Sequence, residues 1–301
     1  MRLLLLSLLL SYNLSAFHPP LEINSNSDIV DGKSLKRDSG IRGPSWNEQI
    51  QIMHEFSNRY PEISEVISYG YTVQSRQLTA LLLRKPAPFA TTRFTLITGA
   101  THGNEYLNIV DRLSSALMSS PDQELMAYLN RGGSVLFVPI VNPDGYDRRT
   151  RSNGNRVDLN RDWPNPGNGY KENTQPETKA LNKWLKNYIT ADIKMDIAMD
   201  YHCCVDGMLL LPWGWKKGLY MSSNARAKSQ VIEKMMTKHF KKPGEIGTPP
   251  DTLYAATGTT LDFWHEKFKA ISFTYEGRFR SEKKYLTNHV NWWNEIFKGF
   301  N

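Results

Sequence analysis

Phe94-Thr95-Leu96-Ile97-Thr98, followed after one glycine by Ala100-Thr101-His102-Gly103-Asn104-Glu105, is an apolar β-type run that ends in two metal-type donors. The imidazole and the carboxylate stand three positions apart. A third donor, His202, ends another such stretch, Asp196-Ile197-Ala198-Met199-Asp200-Tyr201, a hundred residues later. Two histidines and one glutamate leave the fourth position of a tetrahedral zinc open for water, the coordination a hydrolytic zinc needs. An HxxE by itself is a weak signal and is equally the start of a surface helix. Its weight comes from its surroundings.

The plan of strand followed by chemistry recurs. The apolar runs Phe94–Thr98, Val135–Ile140, Ile193–Met199 and Ala270–Tyr275 are each followed by loaded residues. These are His102/Glu105, Asn142-Pro143-Asp144-Gly145, His202 and Glu276. Between the runs lie stretches with one apolar face. Trp46, Ile50, Met53 and Phe56 recur at helical spacing, as do Leu107, Val110, Leu113 and Leu117 in 106–118. The same holds for Leu181, Trp184, Leu185 and Tyr188 in 177–189, and for Leu286, Val290, Trp293 and Phe297 in 285–298. Those stripes face a core. Val66–Gly70 and Leu78–Leu83 read as two further strands around a turn. Alternating strands and amphipathic helices predict an α/β domain with a mixed, largely parallel central sheet flanked by helices. In such sheets ligands bind beyond the carboxyl ends of the strands, so all four loaded groups are expected at one edge.

The remainder of the chain sets bounds. Met1-Arg2 precedes nine residues, Leu3 to Ser11, that are all leucine or serine, and Asn13-Leu14-Ser15-Ala16 closes the stretch with small residues. The run is too short to span a bilayer and predicts a signal peptide over 1–16, with an uncleaved anchor as the alternative. A secreted or periplasmic, monomeric protein with no stable membrane insertion is expected. Residues 17–44 form a polar lead-in without period, and 45–301 read as one domain. The two cysteines are neighbours, Cys203 and Cys204. A Cα spacing of about 3.8 Å across a trans peptide lies below the usual disulfide range. They are expected as two thiols or a strained pair, and, flanking His202, a thiolate ligand is a further option. The net charge of +7 is spread along the chain without any nucleic-acid motif, so no nucleic acid partner is expected. Such a balance suits an anionic substrate or surface.

Taken together, these blocks resemble the M14 zinc carboxypeptidase family over nearly all of Trp46–Phe300. His102-Gly103-Asn104-Glu105 is similar to the family's first two zinc ligands, and His202 to the third. Val141–Tyr146 and Val157–Pro164 resemble two signature blocks, and Thr274-Tyr275-Glu276 the strand end that carries the catalytic glutamate. Tyr254, twenty-two residues before Glu276, matches the interval of a substrate-capping tyrosine. The resemblance implies a carboxypeptidase-like fold with Zn2+ held by His102, Glu105 and His202. Glu276 is implied as general base and then acid, the alternative being a salt bridge to Arg278 or Arg280. Arg151 is implied as the oxyanion-stabilising arginine, with Arg148 and Arg149 as competitors in sequence. Asn160 and Arg161 look like the clamp for a free terminal carboxylate, unless Arg161 pairs with Asp158 or Asp162. Leu261 matches the bottom of the pocket for the leaving residue and offers no partner to a terminal Lys or Arg.

The chain departs from the family pattern in places. Asn104 stands where many members have arginine, Arg156 where glycine is common, and Cys203-Cys204 where a hydroxyl-bearing pair is frequent. His18, His54, His239, His265 and His289 have no such context and are expected at the surface or as satisfied core residues. The reading is an exported zinc metallocarboxypeptidase acting on a peptide or muropeptide with a free C-terminal carboxylate. The alternatives are a family relative that trims cell-wall stem peptides and a catalytically inactive binding domain on the same fold.

Overall fold

The computed structural model describes residues 43–86, 90–107, 109–205, 207–241, 243–278 and 282–299. The signal peptide over 1–16 and the lead-in up to residue 42 lie outside these residues. Among them the strands are β1 Ser64–Tyr71, β2 Gln77–Arg84, β3 Arg93–Gly99, β4 Gly133–Val138, β5 Lys194–Cys203, β6 Met208–Leu210, β7 Ile246–Gly247 and β8 Ile271–Gly277. The helices are α1 Trp46–Arg59, α2 Val110–Met118, α3 Glu124–Asn130, α4 Pro143–Arg148 and α5 Pro176–Tyr188. They continue with α6 Ser223–His239, α7 Pro249–Thr252, α8 Thr260–Phe268 and α9 Leu286–Gly299.

The strands form one sheet in the order β1-β2-β4-β3-β5-β8-β6-β7. Its centre, β4-β3-β5-β8, is parallel, β1 and β2 pair antiparallel to their neighbours, and β6 runs antiparallel to β8 with β7 parallel to it. This is the mixed, largely parallel sheet that the pattern predicts. Burial on both faces explains why the central strands read as continuous apolar runs instead of alternating ones. Leu81, Leu83, Ile97, Phe137, Met199, Tyr201, Phe273 and Tyr275 pack on one face against α1, α2, α3, α6 and α9. Ala80, Leu82, Leu96, Leu136, Val138 and Ala198 pack on the other against Leu181 and Leu185 of α5 and Phe263 and Trp264 of α8. The result is a three-layer sandwich of helices, sheet and helices. No helix among the described residues is long and apolar enough to cross a membrane.

Local chemistry explains the element ends. Ser45 caps α1 in a capping box with Glu48, satisfying two backbone donors at the helix start. Asn142 caps α4, which opens with Pro143. The helix expected from residue 106 begins only at Val110. Tyr106 is buried with Trp46, Ala100 and Ile140, and Leu107 and Ile109 enter the main core. These three apolar residues are thus buried on irregular chain as it leaves the Glu105 turn, which periodicity cannot distinguish from a helix.

Candidate metal centre and substrate cavity

Strand pleating sorts the site residues. Along β5, Met199, Tyr201 and Cys203 enter the core below, so Asp200 and His202 face the opposite side. Along β8, Phe273 and Tyr275 enter that same core, so Thr274 and Glu276 share the face of Asp200 and His202. His202 and Glu276 are register partners on adjacent parallel strands. β3 delivers His102 and Glu105 from the turn beyond Gly99. That turn begins at Ala100 with φ 48°, a left-handed conformation rare for alanine. It lies so close to α4 that a Cβ on Gly103 would fall 2.0 Å from the carbonyl carbon of Gly145. Asn142 joins the loops: its Nδ2 donates to the carbonyls of Thr101 and Arg151.

The three donors converge. His102 Nδ1 lies 2.9 Å from Glu105 Oε2, His202 Nδ1 3.0 Å from the same oxygen, and the two Nδ1 atoms lie 3.1 Å apart. The ligand atoms of His102, Glu105 and His202 all fall within 4.8 Å of one another, and all three residues are buried. The outward ring nitrogens are tied to carboxylates: His102 Nε2 to Asp158 Oδ1 at 2.9 Å, and His202 Nε2 to Asp200 Oδ2 at 2.8 Å. Carboxylates behind metal-binding imidazoles fix ring orientation and raise ligand basicity. The donor set and these outer partners fit zinc.

The electrostatics follow from this packing. Burial opposes the charge of Glu105, yet hydrogen bonds from His102 and His202 outweigh it and hold the carboxyl well below the usual range. Burial likewise opposes charge on His202, but Asp200 and Glu105 overcome it and raise the imidazole well above its ordinary value. The cluster therefore attracts positive charge, which a metal cation supplies as well as a proton does. Glu276 differs. Burial pushes its pKa up to about 7, with His202 pulling it down and Glu105 adding to the rise. Among the described residues its side chain has no hydrogen bond or ion pair, so the expected alternative of a bridge to Arg278 is not formed; Arg280 lies outside them.

A cavity of about 150 Å³ opens over these groups, lined by His102, Glu105, Arg151, Asn160, Arg161, Tyr254, Leu261 and Glu276 among others. Arg151 is brought to the wall by Glu105 and Asp158, each at 2.9 Å, while Nη2 is left without a partner among the described residues. Arg148 instead donates to the carbonyl of Asn153, and neither Arg148 nor Arg149 lines the cavity. Asn160 accepts from the backbone N–H and hydroxyl of Thr260, which leaves its amide N–H groups turned to His202 and the cavity. Arg161 forms no ion pair among the described residues. Asp162 is occupied by Thr174, Gln175 and Thr178, and Asp158 by Arg151 and His102. Tyr254 stands 58% exposed at the rim. Its segment is pinned by Ala256 to Gly214 and by Gly258 to Trp163.

Leu261 is 2% exposed and packs with Met208, Leu210 and Val205. Apart from Glu105 and Glu276, the lining contains no carboxylate among the described residues. Cys203 and Cys204, also in the wall, are bonded to one another across a cis peptide with Cα atoms 3.1 Å apart. Both sulfurs are thereby used, and neither is a metal ligand.

The structure places His102, Glu105, Arg151, Asn160, Arg161, Tyr254, Leu261 and Glu276 around one cavity, with His202 against His102 and Glu105. Sequence reading gave no role to Asp200, which accepts hydrogen bonds from Thr98, Thr101, Thr260 and His202 while fully buried. Asp158 was considered only as a partner for Arg161. The available signal for Asp200 was its spacing of two from His202 within a strand, which places both on one face.

An open α/β sheet with two imidazoles and one carboxylate clustered beside a cavity that also holds a guanidinium free of ion pairs among the described residues defines a zinc-hydrolase type of site. The zinc carboxypeptidase family model matches residues 49–291, and the chain belongs to the M14 zinc carboxypeptidase family. Mouse carboxypeptidase D is 32% identical over 158 residues, covering 46% of this chain and 11% of that protein. The chain thus spans about a tenth of the length of the carboxypeptidase D proteins it matches. Rat mast cell carboxypeptidase A is 21% identical over 297 residues, covering 88% of this chain and 70% of that protein. The structure of thrombin activatable fibrinolysis inhibitor superposes with a TM-score of 0.72 at 20% identity, over 85% of this chain and 73% of that one. Carboxypeptidase A from Helicoverpa armigera does so with a TM-score of 0.67 at 18% identity, over 86% and 75%. At these identities the two structures share the fold with this chain.

Proposed function

We propose that this chain is an exported zinc metallocarboxypeptidase that removes a single residue from the C-terminus of peptides. One observation carries the reading. Arg161, a half-buried guanidinium with no carboxylate partner among the described residues, lines the same cavity as the metal donors His102 and Glu105 and as Glu276. Its Nη1 donates to the Asn160 carbonyl, and the rest of the planar fork suits a free terminal carboxylate, with Asn160 adding an amide donor.

When bound, zinc supplies Lewis-acid polarisation of the scissile carbonyl and lowers the pKa of a coordinated water toward neutrality. The protein residues do the rest. Asp158 and Asp200 hold His102 and His202 by their outer nitrogens and so fix which ring atoms face the metal. Glu276, near pKa 7 through burial, takes the proton of the attacking water and passes it to the departing amine. Arg151 Nη2 opposes charge growing on the carbonyl oxygen. Tyr254 lies where it can close over the bound chain end.

The cavity wall of Val205, Leu210, Leu253, Ala256 and Leu261 supports an apolar leaving residue over a basic one. A panel of peptides ending in apolar, basic or acidic residues, each free or C-terminally amidated, tests this by product mass. Release of one apolar residue from free ends alone is expected. Equal cleavage of amidated peptides would refute the clamp, and preference for terminal lysine would refute the pocket. Purified muropeptides in the same competition separate out the cell-wall reading, which requires that they be trimmed faster than ordinary peptides.

A further inference from the structure

We propose that His289, on α9, is a positioning residue that holds the zinc ligand His202 and the base Glu276 at a fixed separation. The proposal rests on the function above for its kinetic arm and on the metal site alone for its binding arm. Tyr201 and Tyr275 immediately precede His202 and Glu276, and they too are register partners on β5 and β8. The tyrosines point into the core on the α9 side of the sheet, and the ligand and base into the cavity on the other. Both strands end one residue later, at the pair Cys203 and Gly277. His202 and Glu276 therefore sit on the penultimate rung, where ladder hydrogen bonds alone hold a strand least well.

One imidazole reaches both tyrosines. Trp293 Nε1 donates to the Tyr201 hydroxyl at 2.9 Å, and that hydroxyl lies 3.3 Å from His289 Nδ1. His289 Nε2 lies 2.8 Å from Glu282 Oε1, which also accepts from the Tyr275 hydroxyl at 2.8 Å. The backbone N–H of Arg278 donates to the other oxygen of Glu282. Every member is buried, His289 and Tyr275 completely. The directions follow from the carboxylate. Ionised Glu282 only accepts, so His289 Nε2 carries the proton, and in a neutral imidazole Nδ1 then accepts from the Tyr201 hydroxyl. That pattern uses a neutral imidazole and an ionised carboxylate. Burial pushes His289 down, and hydrogen bonds hold Glu282 below its usual value despite burial, in keeping with it. A satisfied buried network of this kind specifies one arrangement, whereas a half-satisfied one is costly. Here it fixes two neighbouring strand ends from behind, and the reacting groups are the next residues along.

Three purified variants test this: His289→Phe, His289→Gln and the double Tyr201→Phe/Tyr275→Phe. Zinc affinity by chelator competition, kcat, KM and thermal midpoint are measured for each. His289→Phe should lose about tenfold in zinc affinity and about tenfold in kcat, the scale seen for groups supporting a metal ligand, with KM unchanged. His289→Gln can accept from Tyr201 and donate to Glu282, so it should recover zinc affinity and kcat even where its midpoint stays low. A folded His289→Phe protein with normal zinc affinity and kcat overturns the proposal, as does a Gln variant that loses as much as the Phe variant in both. If His289→Phe does not fold, the double hydroxyl deletion decides. The same two losses support positioning, and wild-type values refute it. Wild-type protein that binds zinc and cleaves no peptide would refute the proposed function and leave the zinc-affinity arm intact.

Discussion

At Glu276, burial and neighbouring charge oppose each other, and burial prevails, setting the group near pKa 7 before any metal is present. A bound dication beside it favours the carboxylate, so the working value falls below 7. The base must be ionised to act. Consequently kcat/KM should climb as pH rises through that value and fall about tenfold per unit below it. A pH-rate profile from about 4 to about 9 locates it. Replacing Glu276 by Gln keeps the shape and deletes the base, so kcat should drop at least about a hundredfold with KM little changed. Near-normal turnover in that variant would mean that another group is the base. At His202 the same reasoning concerns the metal. The imidazole is raised by Asp200 and Glu105, so protons compete with zinc at this nitrogen, and affinity should fall as pH falls. His202→Ala should lose stoichiometric zinc, measured by atomic absorption after dialysis. Retention of zinc with full activity would remove His202 from the site.

Among the elements, the turn after β3 is held by contact between backbones. Gly103 faces Gly145 and Tyr146, and a methyl group there would meet main-chain atoms at 2.0 and 2.2 Å, which cannot rotate away. Gly103→Ala should therefore cost at least about 2 kcal/mol in denaturant unfolding and lower zinc affinity as His102 shifts. Unchanged stability would show that α4 can retreat. Gly258 plays a similar part beneath the clamp. Its φ of 73° and its approach to the Arg161 carbonyl bind the Tyr254 segment to the carboxylate-binding arginine. Where elements carried a strong apolar period, as in β3, β5, α1 and α9, their positions were readable in advance. α6 was not. Its buried side includes Ser229 and Glu233 beside Ile232 and Met236, and Arg226 and Ser229 satisfy Glu233 within the helix. A polar pair satisfied in place leaves no apolar stripe to find.

For the whole molecule, stability and specificity both pass through the one cavity. Zinc that binds only the folded chain adds about 4 kcal/mol at a thousandfold excess over its dissociation constant, or on the order of 10 °C for a domain of this size. Chelation should lower the thermal midpoint by that much, and zinc should restore it. In the proposed function, substrate recognition divides between Arg161 with Asn160 and the Leu261 wall. Amidating a good peptide removes a charge-assisted contact in a desolvated pocket, about 2–5 kcal/mol, or roughly thirtyfold or more in kcat/KM. The amino-acid sequence by itself determined the sheet's central strands and the metal donors. The strands are encoded by local apolar runs, and each donor by its place just beyond such a run. Only the tertiary structure decided the partners of those residues. Asp158 stands behind His102, and His289 meets Tyr201 directly and Tyr275 through Glu282. These contacts join segments far apart in the chain, 56 residues for His102 and Asp158 and 88 for Tyr201 and His289, and no local spacing records them.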